Sequence, residues 1–380
     1  MNAPLQPASG VVAAPLGLLA ELTHRCALGC PYCSNPLELE ARSREMDTAD
    51  WKRVFSEAAA LGVLQVHLSG GEPAIRRDIV ELVAHCAAEG LYTNLITSGV
   101  GFRPELIDAL AQAGLDHVQL SVQDSEPASA DVIAGYRGAF AAKAEVARRV
   151  VASGLPLTIN AVIHRANVAR AGEMVELAMA WGAGRVEIAH TQYYGWAVPN
   201  RKLLLPDRDA ARAAIDRIEA MKRDLEGRIA IDHVLPDYHA AYPKACMGGW
   251  ARRTLNVTPA GKALPCHAAE SIPGLEFWSA REASLAAIWR DSPAFNAYRG
   301  VSWMKEPCLS CARKGVDFGG CRCQALMLTG DAANADPVCR LSPHHGRMAE
   351  LVEADAEPAS GGDAGYDYRR FRSAPRDPRS

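Results

Sequence analysis

The chain reads as an α/β protein: a partial (β/α)6 TIM-like barrel followed by a small cysteine-rich domain. Three observations predict this. Short apolar, β-rich runs alternate with helical patterns from residue 16 to about residue 195. Several of the helical patterns end in glycine, and beyond residue 240 the alternation gives way to a cysteine-rich region punctuated by Gly and Pro.

The strand runs are "LGLLAEL", "VLQVHLSG", "LYTNLITSG", "HVQLSVQ", "LTINAVIH" and "RVEIAHTQ". Between them lie "TADWKRVFSEAAALG", "RDIVELVAHCAAEG", "PELIDALAQAG", "AFAAKAEVARRVVASG" and "VARAGEMVELAMAWG". The terminal glycines Gly62, Gly90, Gly114, Gly154 and Gly182 suit a left-handed C-cap. Strands and helices in this order imply parallel strands joined by right-handed crossovers. Six such units curl a sheet most of the way round without closing an eight-stranded barrel, and chemistry in such barrels gathers at the C-terminal strand ends. The expected divisions are a flexible N-terminus over 1–15, the barrel over 16–200, a linker helix and strand over 201–240, the cysteine-rich domain over 241–345 and a disordered tail over 346–380. The tail is polar, glycine-rich and without apolar periodicity.

Composition narrows the function classes. A hydrophobic content of 49% with 22% charged residues is that of an ordinary globular protein. A formal net charge of -3 gives no electrostatic case for nucleic acid. The opening "MNAPLQPASGVVAAPLGLLAELTHRC" has no basic start, and its short apolar stretch is broken by Pro15. It reads as neither signal peptide nor membrane span, which places the chain in the cytoplasm and off the membrane. Eleven cysteines in a reducing compartment argue for metal or redox chemistry. Cys86 alone, in an apolar helical pattern, reads as a buried small hydrophobe.

Cys26, Cys30 and Cys33 crowd the loop after the first strand, at the reactive face. Thiolates are soft ligands, and an iron–sulfur cluster is normally held by four of them. Three leave one iron with a free position, as catalytic metal sites do. The competing reading is a zinc site completed by His24 or by a remote ligand. "SGGEP", Ser69 to Pro73, ends the second strand at the same face.

CxxxCxxC after the first strand, with Tyr32 before the third cysteine and GGEP after the second strand, resembles the radical S-adenosylmethionine (SAM) enzymes. The resemblance implies that Cys26, Cys30 and Cys33 hold a 4Fe–4S cluster with SAM on its open iron. It implies that Gly70, Gly71 and Glu72 meet the SAM amino group, and that the other strand ends serve the rest of the molecule. Those ends carry Ser98, Ser121, Gln123, Asp124, Asn160, Gln192 and Tyr193. Family members often read Ser-x-Asp after the fourth strand, whereas this chain reads "SVQDS".

In the last third, Cys246, Cys266, "CLSCARKGVDFGGCRCQA" and Cys339 resemble the SPASM extension of radical SAM peptide-modifying enzymes, which carries two auxiliary clusters. The family places a cysteine five residues after the CxxC, and Asp317 stands at that position here, a carboxylate able to bind iron through oxygen. The expected sets are Cys308, Cys311, Asp317 and Cys339 for the outer cluster, and Cys246, Cys266, Cys321 and Cys323 for an inner one of two or four irons (2Fe–2S or 4Fe–4S). Two zinc ribbons with Asp317 as a helix cap form the alternative.

"DFGGCRCQA" with "LLAELTHRCALGCPYCSNP" most resembles, within this group, the family that cyclises the PqqA peptide in pyrroloquinoline quinone biosynthesis. That implies a Glu-to-Tyr carbon–carbon cross-link within PqqA, a separate peptide chaperone, PqqD, and a low-potential donor such as a flavodoxin. No compact module precedes the cluster loop, which agrees with a peptide-holding partner in trans. The rivals are another SPASM maturase, such as an anaerobic sulfatase-maturing enzyme, and a non-catalytic zinc or iron–sulfur protein. Spacing selects no acid–base residue. Tyr193, Tyr194 and Trp196 read equally as cavity lining or as core.

Overall fold

The computed structural model describes residues 12–356 and 365–371. Its strands are β1 (Gly17–Thr23), β2 (Gln65–Gly70), β3 (Tyr92–Thr97), β4 (His117–Val122), β5 (Leu157–Ile163), β6 (Arg185–His190), β7 (Ala230–Val234), β8 (Thr254–Val257) and β9 (Ala263–Leu264). They form one open nine-stranded sheet in the order β7-β6-β5-β4-β3-β2-β1-β8-β9. Every pairing is parallel except that of β8 with β9.

The first helices are α1 (Thr48–Leu61), α2 (Ile79–Ala88), α3 (Leu106–Gln112), α4 (Pro127–Ala134), α5 (Ala139–Ala152), α6 (Ala171–Ala180), α7 (Arg201–Leu204) and α8 (Arg208–Asp224). Asp47 caps α1 by accepting from Asp50 N at 2.9 Å, and Gly62 closes it at φ 97, where a Cβ would be strained. The short helix α4 carries no long apolar period. It is set by Pro127 in its first turn and by Glu126, whose carboxylate accepts from Ala128 N and Ser129 N.

Alternation along each strand separates two environments. Leu18, Leu68, Leu95, Leu120, Ile159 and Ile188 point outward and are fully buried beneath the helices, against Trp51, Phe55, Leu82, Leu110, Val150 and Met174. Each such side chain removes enough apolar surface to contribute roughly 1.5–3 kcal/mol. The inward face is polar: Asn94 Nδ2 donates to Gln119 Oε1 at 3.3 Å, and Gln119 Nε2 to Glu187 Oε2 at 3.4 Å. The core therefore lies between sheet and helices, and the barrel interior is left for polar ligands. Cys86 is fully buried in that core, as its apolar surroundings predict.

Three elements bear on the divisions read from sequence. β7, expected in a linker, pairs with β6 as a seventh barrel strand. β8, inside the expected cysteine-rich domain, pairs with β1, so the boundary at 241 cuts through one continuous sheet. The tail expected to be disordered from 346 is helical over His345–Ala356, where Met348 and Val352 pack on Leu205, Tyr238 and Val338. Residues 365–371 of the same tail lie across the first cysteine loop. Residues 1–11 of the expected flexible N-terminus, and 357–364 and 372–380 of the tail, fall outside the described residues.

Candidate active site

At the end of β1 the register with β2 slips between Glu21 and Thr23, a bulge that turns the chain out of the sheet and into the cysteine loop. Arg76 holds this turn: its NH1 donates to Leu22 O at 3.0 Å and Met46 O at 3.2 Å, and its NH2 pairs with Asp78 at 2.6 Å. The loop is then fastened from several sides. Gly29 N donates to Ala134 O at 2.8 Å, Asn200 Nδ2 to Pro31 O at 3.0 Å and Trp196 Nε1 to Pro36 O at 3.2 Å. Gly195 sits so close that a Cβ would meet Asn35 O at 2.9 Å.

The three thiols gathered by this loop are partly buried. Burial pushes Cys30 up to about 12, with the neighbouring Cys33 adding to the effect. Cys26 is also raised, by burial and then by the Glu72 charge. His24 cannot complete a zinc site as it stands. Its Nδ1 accepts from Glu40 N at 2.9 Å, and its Nε2 faces Glu21 Oε2 at 3.3 Å.

The GGEP turn packs directly beneath. Gly71 N donates to Thr23 O at 2.6 Å and Glu72 N to Arg25 O at 2.7 Å. A Cβ on Gly70 would stand 2.3 Å from Thr23 O, and one on Gly71 2.3 Å from Arg25 O, so only glycine fits at either position. Glu72 is fully buried, and its carboxylate accepts from Ala74 N at 3.0 Å, Thr97 Oγ1 at 2.8 Å, Ser98 N at 2.7 Å and Ser98 Oγ at 2.5 Å. Its oxygens are taken by the end of β3, and the backbone of the turn remains for a ligand.

Ser98, Gln123 and Gln192 lie just beyond the ends of β3, β4 and β6, whereas Ser121 lies near the end of β4 and Asn160 in the middle of β5. Ser121 and Asn160 are paired across β4 and β5. Among the described residues Gln123 Oε1 and His164 Nε2 are buried without a hydrogen-bond partner, as a site built to receive a polar ligand leaves them. Asp124 is not free for a ribose: Arg170 Nε donates to it at 2.8 Å and Ser129 Oγ at 2.6 Å. Trp196 is fully buried in the core, while Tyr194 Oη meets His267 Nε2 at 2.7 Å.

Two residues of this site carry no sequence motif. Lys143 of α5 is completely buried and donates to Ser98 O and, at 2.9 Å, to Ser121 O. Burial holds its ammonium down to about 8, against the pull of Cys30 and Glu72. Its sequence signal was a lone lysine on the stripe of Ala139, Val146, Ala147 and Val150. His164 is the second, pushed down to about 4 by burial, with Arg170 acting in the same direction and Asp124 against it.

Apart from Cys86, the other cysteines fall into two neighbourhoods. Cys246 neighbours Cys266 and Cys321, and Cys323 neighbours the same two, so the four sulfurs close a ring. Their mutual hydrogen bonds draw Cys246 well below the usual thiol value and drive Cys266 and Cys321 well above it. Cys308 is pushed up to about 11 by burial, with Arg322 opposing and Cys339, Asp317 and Cys311 reinforcing. Asp317 is buried at the C-terminal end of a one-turn helix, Lys314–Asp317, where a carboxylate opposes the helix dipole, so capping does not explain it. Its oxygens accept from Gly319 N at 3.1 Å and Arg313 Nε at 3.2 Å.

Arg322 is buried between the two groups and donates to Ala332 O at 2.8 Å and Asn334 O at 2.9 Å. Among the described residues no three His, Cys, Asp or Glu side chains are grouped to hold a single metal ion. A cluster differs in spreading its thiolates over several irons. Ten thiols grouped three, four and three, the last group with the Asp317 carboxylate as a harder oxygen donor beside it, fit iron–sulfur clusters.

Known proteins bear directly on this geometry. Residues 20–178 match the radical SAM superfamily, and residues 246–312 match an iron–sulfur cluster-binding domain, SPASM. The chain is 65% identical to a PqqA peptide cyclase of Methylocella silvestris over 98% of its own length and 99% of the relative's. The chain belongs to the PqqA peptide cyclase family of radical SAM enzymes. Another cyclase of this family, from Gluconobacter oxydans, is 57% identical over 91% of this chain and 96% of its own. The fold is shared with SuiB of Streptococcus suis bound to S-adenosylmethionine, at TM-score 0.72 and 21% identity, covering 87% of this chain and 78% of SuiB. It is shared also with anSMEcpe bound to AdoMet, at TM-score 0.61 and 13% identity, covering 90% and 96%. Membership brings SAM and iron–sulfur clusters as the cofactors of this cyclase family member.

Proposed function

We propose that the chain joins a glutamate carbon to a tyrosine ring carbon within the PqqA peptide, a step in pyrroloquinoline quinone biosynthesis. The observation that carries this reading is the 65% identity, over nearly the whole of both chains, to a PqqA peptide cyclase. Relatives at 57–65% identity bear the same name, which disfavours a sulfatase-maturing role.

Cys26, Cys30 and Cys33 hold the first cluster in this reading. Cys246, Cys266, Cys321 and Cys323 hold the inner auxiliary cluster, and Cys308, Cys311, Asp317 and Cys339 the outer. A 4Fe–4S cluster with bound SAM would supply radical abstraction of hydrogen from carbon, and the auxiliary clusters would supply a sink for the electron released on coupling. The chain's own residues do the rest. The glycines of GGEP bring backbone carbonyls to the SAM amino group, and Glu72 fixes Ser98 beside them. Ser121, Gln123, Asn160 and Gln192 line the rim for the remainder of SAM. The covering helices and the fastened loop exclude water from the cluster.

Buried Lys143 and Arg322 offset the negative charge of the thiolates, which lone buried ions could not do cheaply without such neighbours. PqqD presents the peptide, a flavodoxin-like donor supplies electrons, and the reaction runs in the cytoplasm. Among the described residues no helix is long and apolar enough to cross a membrane. Anaerobic purification with iron, sulfide and zinc analysis tests the cofactor reading. Labile sulfide with iron is expected, whereas stoichiometric zinc without sulfide excludes the mechanism.

A further inference from the structure

Residues 365–371 return from the far end of the chain to the first cysteine loop. Asp367 N donates to Asn200 Oδ1 at 2.8 Å, and Asn200 Nδ2 donates back to Asp367 O at 2.9 Å. Tyr368 Oη donates to Val132 O at 2.8 Å, and its ring covers Gly29, where a Cβ would meet Tyr368 Cβ at 3.2 Å. Arg369 N donates to Gly29 O at 2.9 Å, and its side chain turns inward, donating to His24 O.

Arg369 is 6% exposed, and among the described residues it makes no ion pair and its Nε has no hydrogen-bond partner. Burying a guanidinium without a counter-ion is costly. Its side chain lies against the loop that carries the three thiols and lines one cavity with Cys26 and Gly29. The Arg369 side chain also hydrogen-bonds Cys33, and Cys26 and Cys30 lie within reach of its charge.

We infer that Arg369 is a positioning residue of the first cluster: its guanidinium donates to the Cys33 sulfur, balances the cluster's negative charge and makes residues 365–371 part of the cofactor site. The inference rests on the reading that Cys26, Cys30 and Cys33 hold a cluster. Hydrogen bonds to cluster sulfurs, net charge and solvent exposure set iron–sulfur potentials. The reduced cluster carries one more negative charge than the oxidised one, so a fixed cation beside Cys33 favours reduction. Tyr368, lying over Gly29, shields the same loop from water.

The test is a redox titration of the anaerobically loaded full chain, followed by paramagnetic resonance. A variant with Cys26, Cys30 and Cys33 all changed to Ala identifies the auxiliary signals. Arg369→Gln should move the first cluster to a more negative midpoint with the auxiliary clusters unmoved, while Arg369→Lys stays at the wild-type value. An unmoved midpoint in Arg369→Gln, or equal shifts in both variants, overturns the inference. Should Arg369→Gln fail to load, Tyr368→Ala is read instead, by iron loss to a chelator. A several-fold faster loss from the first site is expected, and an unchanged rate overturns the shielding. If the triple cysteine variant holds as much iron as wild type, the cluster reading itself has failed, whatever Arg369 does.

Discussion

Gly71 lies where the β2 turn touches the backbone of the cluster loop, and the 2.3 Å separation of its would-be Cβ from Arg25 O leaves no room for adjustment by a side chain. Gly71→Ala must therefore push the two turns apart. A displacement near 1 Å at a reacting centre costs about a hundred-fold in rate. The expected result is a drop in 5′-deoxyadenosine formation of that order, with auxiliary iron retained. A rate within a factor of about two of wild type would show that the close approach does not matter.

His164 gives a pH dependence. Its folded value of about 4 lies below the ordinary histidine value of 6.5, so between these the unfolded chain binds a proton that the folded chain refuses. Stability is then complete above about pH 6.5 and is lost as pH falls towards 4, a contribution on the order of 3 kcal/mol for a fully buried ring. His164→Gln should lose less thermal stability than wild type between pH 7 and pH 4.5. Equal losses would assign the acid sensitivity elsewhere.

Elements differ in how far sequence exposes them. Six of the barrel strands and five of their helices announce themselves by period and by terminal glycines, and the cysteines of the last third stand out by their spacing. The helix α4 and the segment 365–371 do not. The first is set by a proline and a capping glutamate, and the second by Asp367, Tyr368 and Arg369, whose partners Asn200, Val132 and His24 lie far away in sequence. Glu72 shows the same limit, since only the fold reveals that Thr97 and Ser98 occupy its carboxylate. Within α5, Lys143 sits on an otherwise apolar stripe, and its charge serves the thiolates of the neighbouring loop. Lys143→Met should leave α5 folded and the auxiliary iron in place, while iron at the first site falls by most of one cluster. Full first-site iron in that variant would remove Lys143 from the cofactor site.

The whole molecule joins two cysteine-bearing ends through one sheet. β8 and β9 carry the cysteine-rich region onto the edge of β1, whose other end feeds the first loop. The Tyr194 hydroxyl is within electrostatic range of Cys33 and of the Cys266, Cys321 and Cys246 group, so it is near both cysteine regions. If the auxiliary clusters take up the coupling electron, damage to the outer one should uncouple the reaction. Asp317→Ala is expected to keep 5′-deoxyadenosine formation near wild type while cross-linked peptide falls roughly ten-fold or more, as loss of a transition-linked interaction does. Parallel loss of both products would place Asp317 in the stability of the whole chain instead.

The central claim, that the three-thiol site drives a peptide cross-link, is tested most directly by mass spectrometry of the PqqA peptide. The peptide is incubated anaerobically with the reduced holoenzyme, SAM and the chaperone PqqD. Loss of two hydrogens, with fragmentation locating a Glu–Tyr bond and with none of this in Cys30→Ala, is the predicted result. An unmodified peptide from fully loaded enzyme, or a cross-link that survives Cys30→Ala, contradicts it.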